Sequence, residues 1–154
     1  MRDTQLGCIV FRKRNEVYEF LLMKRIPTKG GFWQPPCGGL DEEDCSRIEG
    51  AYRELLEEAS ITKEQVIRVI EDVDTFVMDK HYLTGEPIPK ITEYVYGFEI
   101  SPEIEVSIEN NIYPEHEEIT WVIFDKAIEL LKWDNNKTAF IKLNKILCSE
   151  ENRI

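Results

Sequence analysis

Residues 38–61 read GGLDEEDCSRIEGAYRELLEEASI, and the second half of this stretch decides the fold. Ile48, Ala51, Tyr52, Leu55, Leu56 and Ala59 recur at helical spacing and predict a buried stripe. Opposite them stand Arg53, Glu54, Glu57 and Glu58. Residues three and four apart share a helix face, so Glu54 meets both Glu57 and Glu58. Like charges at that spacing weaken a helix by a few tenths of a kcal/mol per pair, roughly. A hard divalent cation with oxygen ligands reverses the sign. Taken alone, an acidic helix face is most often a solvated surface. Here it follows Gly38-Gly39, where backbone can approach a ligand with no Cβ in the way. Arg53, just before the first glutamate, is placed to orient the carboxylates by bidentate hydrogen bonds.

The register is Gly39, five residues, Cys45, seven residues, then Arg53-Glu54-Leu55-Leu56-Glu57-Glu58-Ala59-Ser60-Ile61. This resembles the Nudix box, G-x5-E-x7-R-E-U-x-E-E-x-G-U with U a bulky aliphatic residue. Gly39, Arg53, Glu54, Leu55, Glu57, Glu58 and Ile61 match. Cys45 stands where the family has Glu, and Ser60 where it has Gly. Phe32-Trp33-Gln34 before the box, and Glu115-His116 with Trp121 after it, are similar to the dihydroneopterin triphosphate pyrophosphatase subgroup. The resemblance implies an α/β (α+β) fold, the Nudix α/β/α sandwich with a mixed β-sheet. It implies Glu54, Glu57, Glu58 and Glu115 with the Gly39 carbonyl as metal ligands, and magnesium as the ion, manganese being a substitute. Glu54, Glu57, Arg53 and Glu115 are then the catalytic set, the general base lying among Glu54, Glu57 and Glu115. Arg25, Gly38 and Gly39 are expected to contact substrate.

At 154 residues the chain is long enough for one good core, and 1–154 is read as a single domain. A composition 42% hydrophobic and 32% charged is that of a water-soluble globular protein. The net charge of −11 argues against a surface that tracks long nucleic acids, though not against a small anionic substrate. Cys8, Cys37, Cys45 and Cys148 form no CxxC pair and no zinc spacing, so reduced thiols are expected. With no signal peptide and no apolar run of spanning length, a cytoplasmic location without membrane contact is expected. Oligomeric state stays open, a homodimer included.

Elsewhere, residues 5–11 and 17–24 predict strands around a polar turn at 12–16, and 27–31 a loop. Arg25 ends the second strand. Trp33 reads as a core aromatic ahead of a base-stacking one. Asp44 or Ser46 is the candidate helix cap. Residues 65–73, 75–83, 91–100 and 119–124 predict further strands, with a turn at 84–89 and an exposed loop at 101–114. His116 is expected to be structural. Asp125 is placed to cap a short helix, and Asn135 or Asn136 a longer one with Ala139, Phe140, Leu143, Ile146 and Leu147 inward.

The function implied is magnesium-dependent cleavage of a nucleoside or pterin triphosphate to monophosphate and pyrophosphate. Alternatives are a dinucleoside polyphosphate or nucleotide-sugar hydrolase of the same family, and a non-catalytic nucleotide-binding module. An isomerase on the same fold, kept open by Cys37 and Cys45, is a fourth.

Overall fold

A computed structural model of the chain describes residues 3–109, 111 and 114–151. Strand β1 (Thr4–Arg14) turns at Asn15 and Glu16, both with positive φ, into antiparallel β2 (Val17–Arg25). The strands thus run closer to the turn than the polarity of 12–16 suggests. Arg12 stays in the sheet because its Nε donates to Glu19 at 2.8 Å and its guanidinium lies 4.0 Å from the Trp121 ring centroid. Short strands β3 (Trp33–Gln34) and β4 (Cys37–Gly39) pair with β2 and β1. Helix α1 (Arg47–Ala59) leads to β5 (Val66–Lys80) and β6 (Pro87–Ile100). Strand β7 (His116–Val122), helix α2 (Phe124–Leu130) and helix α3 (Asp134–Glu151) complete the order.

The sheet runs β3-β2-β1-β6-β5, with β4 also on β1 and β7 also on β2. Only β1 and β6 are parallel among the described pairs, which makes the sheet mixed. Strand alternation sends Leu6, Cys8, Val10, Leu21 and Met23 to one face, against Ala51, Leu55 and Ala59 of α1. Ile9, Phe11, Phe20 and Leu22 face the other way, against Ala127, Phe140, Leu143 and Leu147 of α2 and α3. A sheet covered on both faces needs continuous apolar strands, and that is what residues 5–11 supply. The α/β/α sandwich is therefore present as expected.

Boundaries moved where one residue breaks a pattern. The strands expected at 65–73 and 75–83 are one strand, β5, whose pairing with β6 slips between Ile70 and Asp74 around Asp72 at φ 57°. A bulge bends a strand without ending it. Strand β6 begins at Pro87 rather than 91, and β7 spans His116–Val122 rather than 119–124. Helix α2 takes Ile123 as its N-cap, so Asp125 sits in the first turn and caps nothing; α3 starts at Asp134. Leu56, assigned to the buried stripe, is 53% exposed, because the stripe of α1 centres on Ala51, Leu55 and Ala59. Trp33 packs with the α2–α3 core, as expected. Within the loop at 101–114, residues 110, 112 and 113 lie outside the described residues.

Helix α1 opens on Ser46, whose Oγ accepts from the Glu49 N–H at 3.3 Å, and closes on Ser60 at φ 58°, ψ 30°. The left-handed residue costs a non-glycine roughly 1 kcal/mol, and Ser60 Oγ answers part of it by donating to the Ser107 carbonyl at 3.2 Å. Ser60→Ala, which keeps the strain and loses the bond, is expected to lower stability by about 1 kcal/mol in denaturant titration. Ser60→Gly removes both and should stay within about 0.5 kcal/mol of the parent.

Candidate active site

Arg53 is the hub. Its Nε and Nη2 donate to Asp44, at 3.0 Å each to Oδ1 and Oδ2, and Nη2 also to the Gly39 carbonyl at 2.9 Å. Its Nη1 donates to Glu54 at 2.9 Å and to Glu57 at 3.2 Å. One guanidinium thereby ties the loop before α1, strand β4 and two helix carboxylates together, as its planar fork allows. This raises the Arg53 pKa well above its ordinary value, Asp44 being the largest cause. Asp44 clarifies the departure at Cys45: the neighbouring aspartate holds Arg53, while Cys45 is exposed. The N-cap role considered for Asp44 falls to Ser46.

The three glutamates are not equivalent. Glu54 is 4% exposed and lies against Gly38, where a Cβ would come within 2.2 Å of its carboxyl group. Glycine is required there for space. Burial lifts the Glu54 pKa to about 7; Arg53 opposes the rise, and Glu57 and Glu58 add to it. Glu57 is exposed. Glu58 is buried and turned towards β7, where its Oε2 lies 3.2 Å from His116 Nδ1 and accepts from Asn111 Nδ2 at 3.3 Å. On its other side, His116 Nε2 lies 3.0 Å from the Gln34 amide nitrogen. An amide nitrogen only donates, so Nε2 accepts and Nδ1 carries the proton that bonds Glu58. The structural part expected of His116 is thus to hold a box glutamate, through a chain the sequence did not reveal.

Arg25 and Glu115 meet across the mouth of β2 and β7, their charged ends 3.6 Å apart. A bulge between Lys24 and Arg25 sets Arg25 opposite His116. Arg25 Nε donates to the Lys29 carbonyl at 3.0 Å, Nη2 to the Tyr82 hydroxyl at 3.3 Å, and its guanidinium stacks near Phe32 and Tyr82. It is a fixed, buried cation rather than a free strand-end one. Arg25, Glu115, Gly38 and Gly39 all line a cleft of about 730 Å³. The cleft continues past Gln5, Phe76, Glu93 and Trp133, none of which the sequence singled out. A more open depression at Arg12–Asn15 and Trp121 contains none of the expected site residues.

The structure therefore joins Arg53 to Glu54, Glu57 and Gly39, and Arg25 to Glu115, while Glu58 is held apart on the His116 side. Among the described residues no three acidic, His or Cys side chains converge on one point as a closed metal cage. The donor chemistry still fits a hard cation: carboxylate and carbonyl oxygens, with a buried glutamate whose neighbours repel its charge. Cys37, by contrast, is a poor nucleophile. Burial first, then Glu93, lifts its thiol pKa well above the ordinary value.

A mixed-sheet α/β/α sandwich with an Arg-anchored acidic helix beside an open cleft defines the class, that of hydrolases acting on phosphoanhydride bonds. The NUDIX domain model matches residues 1–143, so the chain belongs to the NUDIX domain family. An RNA pyrophosphohydrolase of Pelagibacter ubique (strain HTCC1062) is 27% identical over 130 residues, covering 82% of this chain and 79% of that protein. The asymmetrical bis(5'-nucleosyl)-tetraphosphatase of Sus scrofa is 29% identical over 151 residues, covering 93% and 94%. The E. coli dihydroneopterin triphosphate pyrophosphohydrolase superposes with a TM-score of 0.69 at 21% identity, covering 90% of this chain and 92% of that one. This likeness is one of fold. No helix among the described residues is long and apolar enough to cross a membrane.

Proposed function

We propose that this single-domain, cytoplasmic Nudix hydrolase cleaves a nucleoside- or pterin-type triphosphate to the monophosphate and pyrophosphate, with magnesium. The observation that supports this most is the Arg53 hub beside the Arg25 cleft. Glu54, Glu57, Glu58 and the Gly39 carbonyl would hold the ion, with Glu115 as a further ligand or as the base. There magnesium, or manganese in its place, would supply neutralisation of phosphate charge and acidify the attacking water. Arg53 keeps Glu54 and Glu57 in register, and His116 keeps Glu58 from collapsing onto them. Arg25 offers a buried cation to the phosphate chain; its charged end stands 3.6 Å from Glu115, longer than a good hydrogen bond, so an incoming phosphate could compete for it.

A second reading, hydrolysis of a dinucleoside polyphosphate, is favoured by the length over which the Sus scrofa tetraphosphatase matches. Products separate the two: pyrophosphate and a monophosphate in one case, two nucleotides in the other. With the better substrate, Glu57→Gln and Glu58→Gln are each expected to lower kcat by about two to three orders of magnitude, the scale for losing one preorganised electrostatic contact. Circular dichroism should be unchanged. Near-parental rates in both variants would remove the α1 glutamates from the site.

A further inference from the structure

The phosphate-facing residues account for only part of the cleft lining. Beside them the floor is formed by Gln5 of β1, which pairs with Gly39 of β4 on one side and with Glu93 of β6 on the other. Gln5 Nε2 donates to Glu93 Oε1 at 2.6 Å, and that is the one hydrogen bond of the Glu93 carboxyl among the described residues. Glu93 is nonetheless 4% exposed. Among the described residues no cation pairs with it, and Asp74 is the nearby charge that acts on it. Its second oxygen, Oε2, lies where β1 carries Gly7; a Cβ there would come within 2.8 Å of that oxygen. Burying a carboxyl group is unfavourable unless donors meet it. Oε2 receives no protein donor among the described residues, and since no buried side-chain oxygen there is left unpaired, it opens on the cleft. Directly opposite Glu93 on the neighbouring strand β5 stands Phe76, which also lines the cleft, so a flat ring lying there has an apolar neighbour.

The geometry points to Glu93, steadied by Gln5, as the residue that reads the heterocycle of the substrate, and to a 2-amino-4-oxo ring, as in guanine or a reduced pterin, as the class it takes. A carboxylate offers two acceptor oxygens side by side. A 2-amino-4-oxo ring presents a ring N–H beside an exocyclic amine, two donors at matching spacing. Adenine and cytosine place a ring acceptor beside their amine, and uracil flanks its single N–H with two carbonyls; each would set an oxygen or lone pair against Glu93. Sites built around a buried hydrogen-bonding group discriminate strongly, because the wrong ligand leaves that group unpaired. This rests on the hydrolase reading above for the phosphates, but not for the ring.

The test compares GTP, dihydroneopterin triphosphate and ATP by kcat/KM with magnesium, and GMP and AMP binding by calorimetry without added metal. Wild type is expected to favour one or both 2-amino-4-oxo substrates over ATP by at least about tenfold, and the two arms tell guanine from pterin. In Glu93→Gln that ratio should fall towards one, through KM. Glu93→Asp, which keeps the charge and withdraws it from the ring, should move the ratio the same way and serves if the amide variant misfolds. A wild type that takes ATP as readily, or variants that keep the parental ratio, would overturn the inference and leave the hydrolase reading standing. If no triphosphate is cleaved, the triphosphate reading fails instead. Calorimetry then decides for the ring: tighter GMP than AMP supports Glu93, and equal or absent binding overturns it.

Discussion

Arg53→Met is expected to be the most damaging single change in the chain, abolishing magnesium-dependent turnover and lowering stability by about 3–5 kcal/mol at pH 8. That magnitude is the usual one for removing one partner of a buried, hydrogen-bonded charge pair. Arg53 bonds Asp44, Glu54, Glu57 and the Gly39 carbonyl, and Glu54 is buried with two further carboxylates as neighbours. Without the guanidinium, Glu54 keeps its burial and its repulsion and loses the group that opposes both. The penalty is therefore predicted to be conditional. It should be largest at pH 8, where Glu54 is ionised, and shrink at pH 5, where a buried carboxyl takes up a proton. The double variant Arg53→Met/Glu54→Gln should recover much of the stability at pH 8 and none of the activity. Denaturant titration of the four proteins at both pH values measures the coupling directly. Additive losses, equal at the two pH values, would mean that Arg53 acts on the loop through Asp44 and not on the glutamates.

This hub also shows what could be read from the sequence. The spacing of Arg53, Glu54, Glu57 and Glu58 and the apolar run of 5–11 are local facts, so the helix, the buried first strand and the reach of Arg53 to the carboxylates followed from them, while the mixed sheet came from the family resemblance. Three things did not. Cys45 removes a carboxylate that Asp44 or Glu43 could replace, and only the loop before α1 shows Asp44, one position earlier, on Arg53; loop backbone is not set by spacing. Glu58 reads as a third equal member of the acidic face, yet it is drawn off by His116 and Gln34, 58 and 82 residues from their respective partners. Glu93 carries no signal of its own within the strand predicted at 91–100. Only the parallel pairing of β1 with β6 shows that it lies beside Gln5 and above Gly7. Strand alternation says which residues share a face, and not whether that face meets solvent, core or cleft.

The second large effect concerns Glu93 and pH. Burial, with Asp74 adding to it and Gln5 opposing, lifts the Glu93 pKa to about 7. In the unfolded chain it falls near 4.3, roughly the reference value for glutamate. Between these values the folded state holds a proton that the unfolded state has released, so stability falls as pH rises across that window. Below about pH 4 both states are protonated, and above about pH 8 both are ionised, so the slope vanishes at either end. The full difference is on the order of 3 kcal/mol. Glu54 is shifted in the same direction, so wild type alone cannot isolate the contribution. The comparison with Glu93→Gln can, because the amide does not titrate. That variant is expected to gain on wild type as pH is raised from 4 to 8, and to melt several degrees higher at pH 8, about 2–4 °C per kcal/mol for a chain of this size. Parallel stability curves for the two proteins across this range would show that Glu93 ionises as freely folded as unfolded. A variant that is both more stable and less selective would place the destabilising charge where natural chains tolerate one, at a group kept for its ligand.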